Sequence, residues 1–274
     1  MKLGFVLPNN WGLDDPSILA ELAVRAEEAG LDSVWVNHHV VNVGYIADRL
    51  GDRPYHDALT VLTWVAARTE RIRLGTSVLV LPYLHPMVLA KALATLDQLS
   101  GGRVIAGVGV GSLPEENDVL GVGYDDRGRR SDEFIDVMDA LWAPGPASFD
   151  GEFYRFRDVV TSPKPRQDRL EVWVGGSGRP ARRRAARVGR GWHPMCSVGG
   201  LERRMPGMLE ALAEHGRERA DLVVAPRVAV SQVADRGALG AWADAGADQL
   251  IVGTATADPD EIRAAIDHLA ELIE

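Results

Sequence analysis

Two patterns of hydrophobic and polar positions alternate along this chain. Short apolar runs rich in Val, Ile and Leu read as buried strands. Between them lie longer stretches whose apolar residues return every three or four positions, the period of an amphipathic helix. Lys2–Leu7 predicts the first strand. A helix to Gly30 follows, with Asp15 at its N-cap and Pro16 at its first helical position. Ser33–Asn37 predicts a strand, Asp57–Thr69 a helix and Ile72–Val80 a third strand. Pro86–Ser100 predicts a helix capped by His85 and closed by Gly101, with Leu89, Ala92, Leu93, Leu96 and Leu99 on one face. Arg103–Val108 predicts the fourth strand.

The rhythm breaks at Ser112–Gly128, which reads as a loop with a short helix near Pro114–Leu120. Arg129–Trp142 predicts a helix that buries Phe134, Val137, Met138 and Leu141. Asp150-Gly151 between aromatic residues predicts a hairpin within Ala147–Val160. Alternation then resumes. Strands are predicted at Glu171–Val174, Gly191–Cys196, Val223–Val230 and Gln249–Val252, and helices at Pro180–Val188, Leu201–His215 and Ala238–Ala245. The last helix starts at Asp258 and buries Ile262, Ile266, Leu269 and Ile273. Eight strand–helix units in roughly 250 residues are the size of a (β/α)8 TIM barrel. The expected architecture is one such α/β domain over residues 1–274, with a loop and hairpin insertion around residues 112–170. A doubly wound parallel sheet is the alternative, and it needs a domain boundary in that same stretch.

Composition narrows the function classes. A net charge of −9 argues against a nucleic-acid surface. The basic run Arg182-Arg183-Arg184 with Arg187 falls on a predicted helix as its solvated face. The single cysteine, Cys196, allows no disulfide within the chain and fits a reducing cytosol. No apolar run reaches membrane-spanning length, and the N-terminus reads as a strand rather than a signal peptide. The expectation is a cytoplasmic protein without a membrane or nucleic-acid partner.

A barrel gathers its chemistry at the C-terminal ends of its strands. That rim receives Asn9–Trp11, His38 and His39, Ser77–Leu81, Gly107–Ser112, Gly175–Ser177, His193–Cys196 and Arg227–Ser231. Side chains alternate along a strand, so one of His38 and His39 enters the mouth. A histidine there either moves a proton or only hydrogen-bonds the rim. No His, Asp or Glu set has metal-ligand spacing. Gly107-Val108-Gly109-Val110-Gly111 is either a cofactor-binding turn or the ordinary turn of a βαβ unit; it is neither a Walker loop nor a dinucleotide fingerprint. Gly175-Gly176-Ser177-Gly178 before a helix is either an anion site or a plain helix start. Cys196 reads as packed rather than nucleophilic, and Glu115 and Glu116 as solvated loop residues or as acids that close over a ligand.

Seven stretches in order then carry a resemblance: LGTSVLVLP, HPMVLAKALATLDQLSGGRVIAGVGVG, RRSDEFIDVMDALW, FDGEFYRF, SPKPRQ, VWVGGSGRPARRRAARVGRGW and GADQLIVG. The chain resembles the luciferase-like flavin-dependent monooxygenases and their relatives that use the deazaflavin coenzyme F420. The resemblance implies a (β/α)8 barrel holding the tricyclic ring in its mouth, with a non-proline cis peptide at Ser77–Val78 forming a bulge beneath it. By the same resemblance Ser77, Val78, Gly107, Gly109 and Gly111 contact the ring and chain, Gly175, Gly176 and Ser177 contact phosphate, and His39 is the catalytic residue, as proton donor or polariser. The compact length and the LGTSVL bulge favour F420 and hydride transfer to a small organic substrate. The alternatives are an FMN-dependent monooxygenase using O2 with a separate cofactor reductase, and a non-catalytic flavin-binding protein. Homodimerisation is implied as well. Two positions depart from the family pattern. His38 stands where the family has an acid before the histidine, and Ser112 stands where some deazaflavin dehydrogenases have a glutamate.

Overall fold

A computed structural model describes residues 1–273. The elements run β1 (Lys2–Val6), α1 (Ser17–Glu28), β2 (Ser33–Val36), α2 (Gly44–Leu50), α3 (Ala58–Ala66), β3 (Arg73–Thr76), β4 (Leu79–Val80), α4 (Pro86–Leu99), β5 (Val104–Gly109), α5 (Pro114–Leu120) and α6 (Arg127–Trp142). They continue with β6 (Ala147–Asp150), β7 (Arg155–Val159), β8 (Glu171–Gly175), α7 (Arg179–Val188), β9 (Gly191–His193), α8 (Val198–Glu202), α9 (Met205–Glu214), β10 (Val223–Val224), β11 (Arg227–Ala229), α10 (Arg236–Asp244), β12 (Gln249–Gly253) and α11 (Pro259–Ile273).

The main sheet is parallel, in the order β10-β9-β8-β5-β3-β2-β1-β12-β11. Its two ends are consecutive in the chain. β10 pairs with β9 and β11 pairs with β12, so the segment from Val223 to Ala229 joins the last open edges and closes the barrel. The expected barrel is therefore correct, and a doubly wound open sheet is excluded. Pro226 divides that closing stave because it has no N–H for the ladder. The predicted strand Val223–Val230 is accordingly two short strands. The predicted strand Ile72–Val80 is likewise two, β3 and β4, separated by a cis peptide at Ser77–Val78.

Smaller corrections concern helix ends. Pro16, not Asp15, occupies the N-cap of α1, and the Asp15 carboxylate accepts from the Ser17 amide instead. The predicted helix Leu201–His215 is two helices, α8 and α9. α2 was not predicted, because its seven residues carry only Ile46 and Leu50 as buried positions, too few to show a period.

Inside the barrel Val6, Trp35, Ile105, Trp173, Ala225 and Ile251 form a packed plug. Trp35 and Trp173 meet at 5.2 Å between ring centroids. Neighbouring staves make room for them. A Cβ on Gly75 would lie 2.3 Å from the Trp35 ring, and one on Gly191 would lie 2.5 Å from that of Trp173. The larger core lies between the sheet and the surrounding helices. The insertion is tied down by two acids. Glu133 of α6 accepts from the amides of Glu152, Phe153 and Tyr154 in the hairpin turn. Asp97 of α4, fully buried, accepts from the amides of Arg166 and Gln167 and from the Gln167 side chain. Among the described residues no helix is long and apolar enough to cross a membrane.

Candidate active site at the barrel mouth

A cleft of about 430 Å³ opens at the C-terminal rim. Its floor is the β3–β4 break. Leu79 and Val80 pair with Val108 and Gly109, so the chain after Ser77 stays in the sheet while Ser77 and Val78 bulge into the mouth. The Val78 side chain fits between two glycines. A Cβ on Gly109 would lie 2.6 Å from Val78 Cγ2, and one on Gly175 would lie 2.9 Å from Val78 Cγ1. Gly111, Gly176, Ser77 and Val78 also line the cleft. Gly176 has φ +103°, a conformation L side chains rarely adopt.

Two of the residues expected at the cofactor do not line the cleft. Gly107 faces the neighbouring stave, where a Cβ would lie 1.8 Å from the Thr76 carbonyl oxygen, so its glycine serves strand packing. Ser177 sits just outside, its hydroxyl donating to the Met195 carbonyl at 2.7 Å. Beyond it Gly178 caps α7.

His39 faces the cleft and is held from both sides. Its Nδ1 lies 2.5 Å from Glu116 Oε2, and its Nε2 lies 3.2 Å from the Tyr45 hydroxyl. Glu116 is 0 % exposed, and its other oxygen accepts from the amides of Val40 and Val41. Burial raises the Glu116 pKa, but the His39 hydrogen bond and the two amides outweigh it and hold the carboxyl below its ordinary range. The expectation that Glu116 is solvated is overturned. Leu113, Glu116, Asn117 and Leu120 recur at helical spacing, and α5 turns that face inward. The acid absent from the end of β2 is thus supplied from α5. That spacing was the available signal, masked by a segment that is mostly polar.

His38 also borders the cleft but is buried. Its Nδ1 accepts from the Val80 amide at 3.2 Å, and burial lowers its pKa to about 4. It is neutral and braces β4. His193 is a second buried neutral histidine, also lowered to about 4 by burial. Its ring stacks on Trp35 of the plug. The Ala225 carbonyl, 2.6 Å from Nδ1, can only accept, so Nδ1 carries the proton. Nε2 then accepts from the Ser77 hydroxyl at 2.9 Å. Ser77 Oγ in turn accepts from Arg227 Nη1 at 3.2 Å, as does the Ser77 carbonyl. The same nitrogen donates to Asn37 Oδ1, and Asn37 donates to Asn10 and takes the Asn9 side chain on its backbone. Ser77 therefore offers the cleft its backbone, because its hydroxyl is committed to His193 and Arg227. Arg49 was not singled out from the sequence; Glu116 was read there as a loop acid, and His193 and Arg227 only as members of the rim. Cys196 is half-buried, and burial raises its thiol pKa, which opposes a nucleophilic role.

Comparison with known proteins gives the family and the fold. The family model for luciferase-like monooxygenases matches residues 1–271. The chain is 36% identical over 217 residues to an F420-dependent glucose-6-phosphate dehydrogenase of Kineococcus radiotolerans, covering 76% of this chain and 61% of that one. It is 35% identical over 184 residues to an FMNH2-dependent dimethylsulfone monooxygenase of Pseudomonas putida, covering 65% and 48%. The match thus spans about three fifths of the first relative and half of the second. Among solved structures, an F420-dependent secondary alcohol dehydrogenase in complex with an F420-acetone adduct superposes with a TM-score of 0.84 at 19% identity, over 99% of this chain and 97% of that one. That likeness is one of fold. With the family matched over nearly its whole length, the chain belongs to the luciferase-like monooxygenase family.

Proposed function

We propose that the protein is an F420-dependent oxidoreductase that transfers hydride between the reduced deazaflavin and a small organic substrate bearing a carbonyl, imine or activated C=C. The observation that carries this reading is the His39–Glu116 pair beside a glycine-backed bulge at the floor of the rim cleft. Backbone at Ser77, Val78, Gly109, Gly111, Gly175 and Gly176 fits a flat group lying close to the chain. Gly175, Gly176 and Ser177, ahead of α7, suit the phosphate of the cofactor's tail. The deazaflavin, when bound, supplies the hydride chemistry. The protein's own part is proton management and positioning. Glu116 fixes the His39 ring through Nδ1, which leaves Nε2 at the cleft beside Tyr45. There His39 holds a proton for the substrate atom that gains negative charge. Arg227, His193 and Asn37 lock Ser77, so the floor keeps its shape when a ring lies on it.

The names of the F420-dependent relatives support F420, and the dimethylsulfone monooxygenase supports FMN with O2 and a separate reductase as the second reading. A non-catalytic flavin binder rested on the acid missing before His39; Glu116 now stands beside that histidine. We further read the protein as one cytoplasmic domain that forms a homodimer. The deciding experiment titrates the purified chain with F420 and with FMN, following ring absorbance and fluorescence. Tight binding of F420 with hydride transfer and no oxygen consumption is the expected result. Tight binding of FMN alone, with oxygen consumed by the reduced complex, overturns it in favour of the monooxygenase. Sedimentation of the same preparation tests the dimer.

A further inference from the structure

Two arginines at the cleft, Arg49 and Arg227, stand apart from its acids. Other half-buried or buried arginines are either paired with an acid, as Arg184 is with Asp132, Arg73 with Glu171 and Arg130 with Asp126, or spread their donors over several carbonyls, as Arg103 and Arg217 do. Arg49 of α2 and Arg227 of β11 both line the cleft. Among the described residues neither has a carboxylate within 4.0 Å. Arg49 makes no side-chain hydrogen bond there. Its guanidinium lies over the Trp11 ring at 4.6 Å, and its Nε is buried without a partner. Arg227 uses only Nη1, on Asn37 and Ser77, which leaves Nε and Nη2 free. Burial is the largest influence on Arg227, Tyr45 and Tyr55, lowering the pKa of the arginine and raising those of the tyrosines; beyond it Arg49 opposes the charge on Arg227, and both arginines favour ionisation of the two tyrosines. The Tyr55 hydroxyl, facing the same cleft, is also buried without a partner. Glu116, the acid of this region, is already taken by His39 and two amides.

We propose that Arg49, Arg227 and the Tyr55 hydroxyl form an oxyanion subsite that takes a carboxylate, sulfonate or phosphate group of the substrate. Two guanidiniums with free donors at one cleft suit such groups, and a bound anion offsets the repulsion between them. Sheet order separates this subsite from the glycine stretch suited to the cofactor's phosphate. Arg49 and Trp11 follow β2 and β1, and Arg227 is on β11. Gly175 ends β8 and Gly176 follows it; β8 is three staves from β2 and two from the stave of β11. The subsite also adjoins His39. Tyr45 bonds its Nε2, and the Tyr55 ring packs edge-on against it at 5.8 Å. An acid anchored there keeps its reducible carbon near the proton donor. The cleft must hold the ring as well, so the acid is small. Assigning the anion to the substrate rests on the hydride-transfer reading above; the subsite itself rests on the arginines.

The test is calorimetric titration of the full chain, cofactor-free and F420-loaded, with acetate, methanesulfonate and inorganic phosphate, and with acetamide as the neutral control. The anions are expected to bind and acetamide not. Binding is expected to persist in the F420-loaded protein, and Arg49→Gln is expected to weaken it about tenfold or more while F420 affinity stays within about twofold. Arg227→Lys is expected to weaken it also. Anions that bind no better than acetamide overturn the proposal, as does unchanged anion affinity in Arg49→Gln and Arg227→Lys alike. Anion binding abolished by F420 assigns the arginines to the cofactor and overturns the substrate role. Arg49-dependent anion binding in a chain that takes up no F420 upholds the subsite and overturns the cofactor reading, so the two failures are distinct.

Discussion

At the scale of single residues, the site works by fixing protonation states. Glu116 is held ionised by three hydrogen bonds that outweigh its burial, and it spends one of them on His39. Replacing His39 by Ala is expected to lower kcat by about 10²- to 10⁴-fold, the usual worth of a positioned proton donor, with F420 affinity changed far less. Equal turnover in that variant removes His39 from the mechanism. Glu116→Gln keeps an acceptor for the Val40 amide but loses the charge, and it is expected to lower kcat by roughly tenfold or more at unchanged F420 affinity. Steady-state kinetics with fluorescence titration separates the two quantities. His38 and His193 set a second, global pH dependence. Their pKa values are lowered from 6.5 to about 4, so in the fold they stay neutral where the unfolded chain's imidazoles already take up protons. Stability is therefore complete above pH 6.5 and drains as pH falls toward 4. A shift of this size corresponds to on the order of 3 kcal/mol for each histidine. Imidazole NMR should show two of the seven histidines still neutral at pH 5.5, one of them protonated on Nδ1. Two such rings titrating normally near 6.5 would refute this account of the burial.

At the scale of elements, the site depends on strands that come unusually close. Gly107 lets β5 approach β3, and Gly109 and Gly175 let β5 and β8 accept Val78 from the bulge. Gly107→Ala places a Cβ against backbone that cannot swing aside, and about 3 kcal/mol or more of destabilisation is expected by urea unfolding. Gly109→Ala meets a valine methyl instead. It is expected to cost less stability and to weaken F420 binding by displacing Val78. If both variants lose equal stability, the distinction between the backbone contact and the side-chain contact fails. α5 matters for the same kind of reason. It is seven residues long and too short to persist alone, yet it delivers Glu116, so its packing through Leu113 and Asn117 determines whether His39 is oriented.

At the scale of the whole molecule, barrel closure brings residues far apart in the chain into one cleft. Arg227 reaches Ser77 across 150 positions, and His193 reaches it across 116. A ligand seated there contacts staves from both halves of the chain. F420 at a hundred times its dissociation constant is expected to stabilise the fold by about 2.7 kcal/mol, visible as a rise in Tm by calorimetry. Absence of a shift at saturating F420 would mean that it does not bind the folded barrel.

The strand–helix alternation, the barrel, the hairpin and even the bounds of α5 were legible in the sequence, because burial imposes a local period on each element. The matched stretches marked Ser77–Val78 and the glycines, which sit inside contiguous motifs, whereas His39 was marked by its place at the end of the second strand. What went unread lacked a period of its own: α2, and the interruption at Pro226, where a long apolar run hides a break; the break at Ser77 was hidden from periodicity in the same way and came only from the resemblance. The roles of the site's partners went unread for a different reason. Glu116, His193, Arg49 and Arg227 occupy unremarkable positions, and their roles come from burial and from neighbours supplied by other staves. Local sequence determines which segments face the core; only closure of the barrel decides which polar side chains are left facing one another at its mouth.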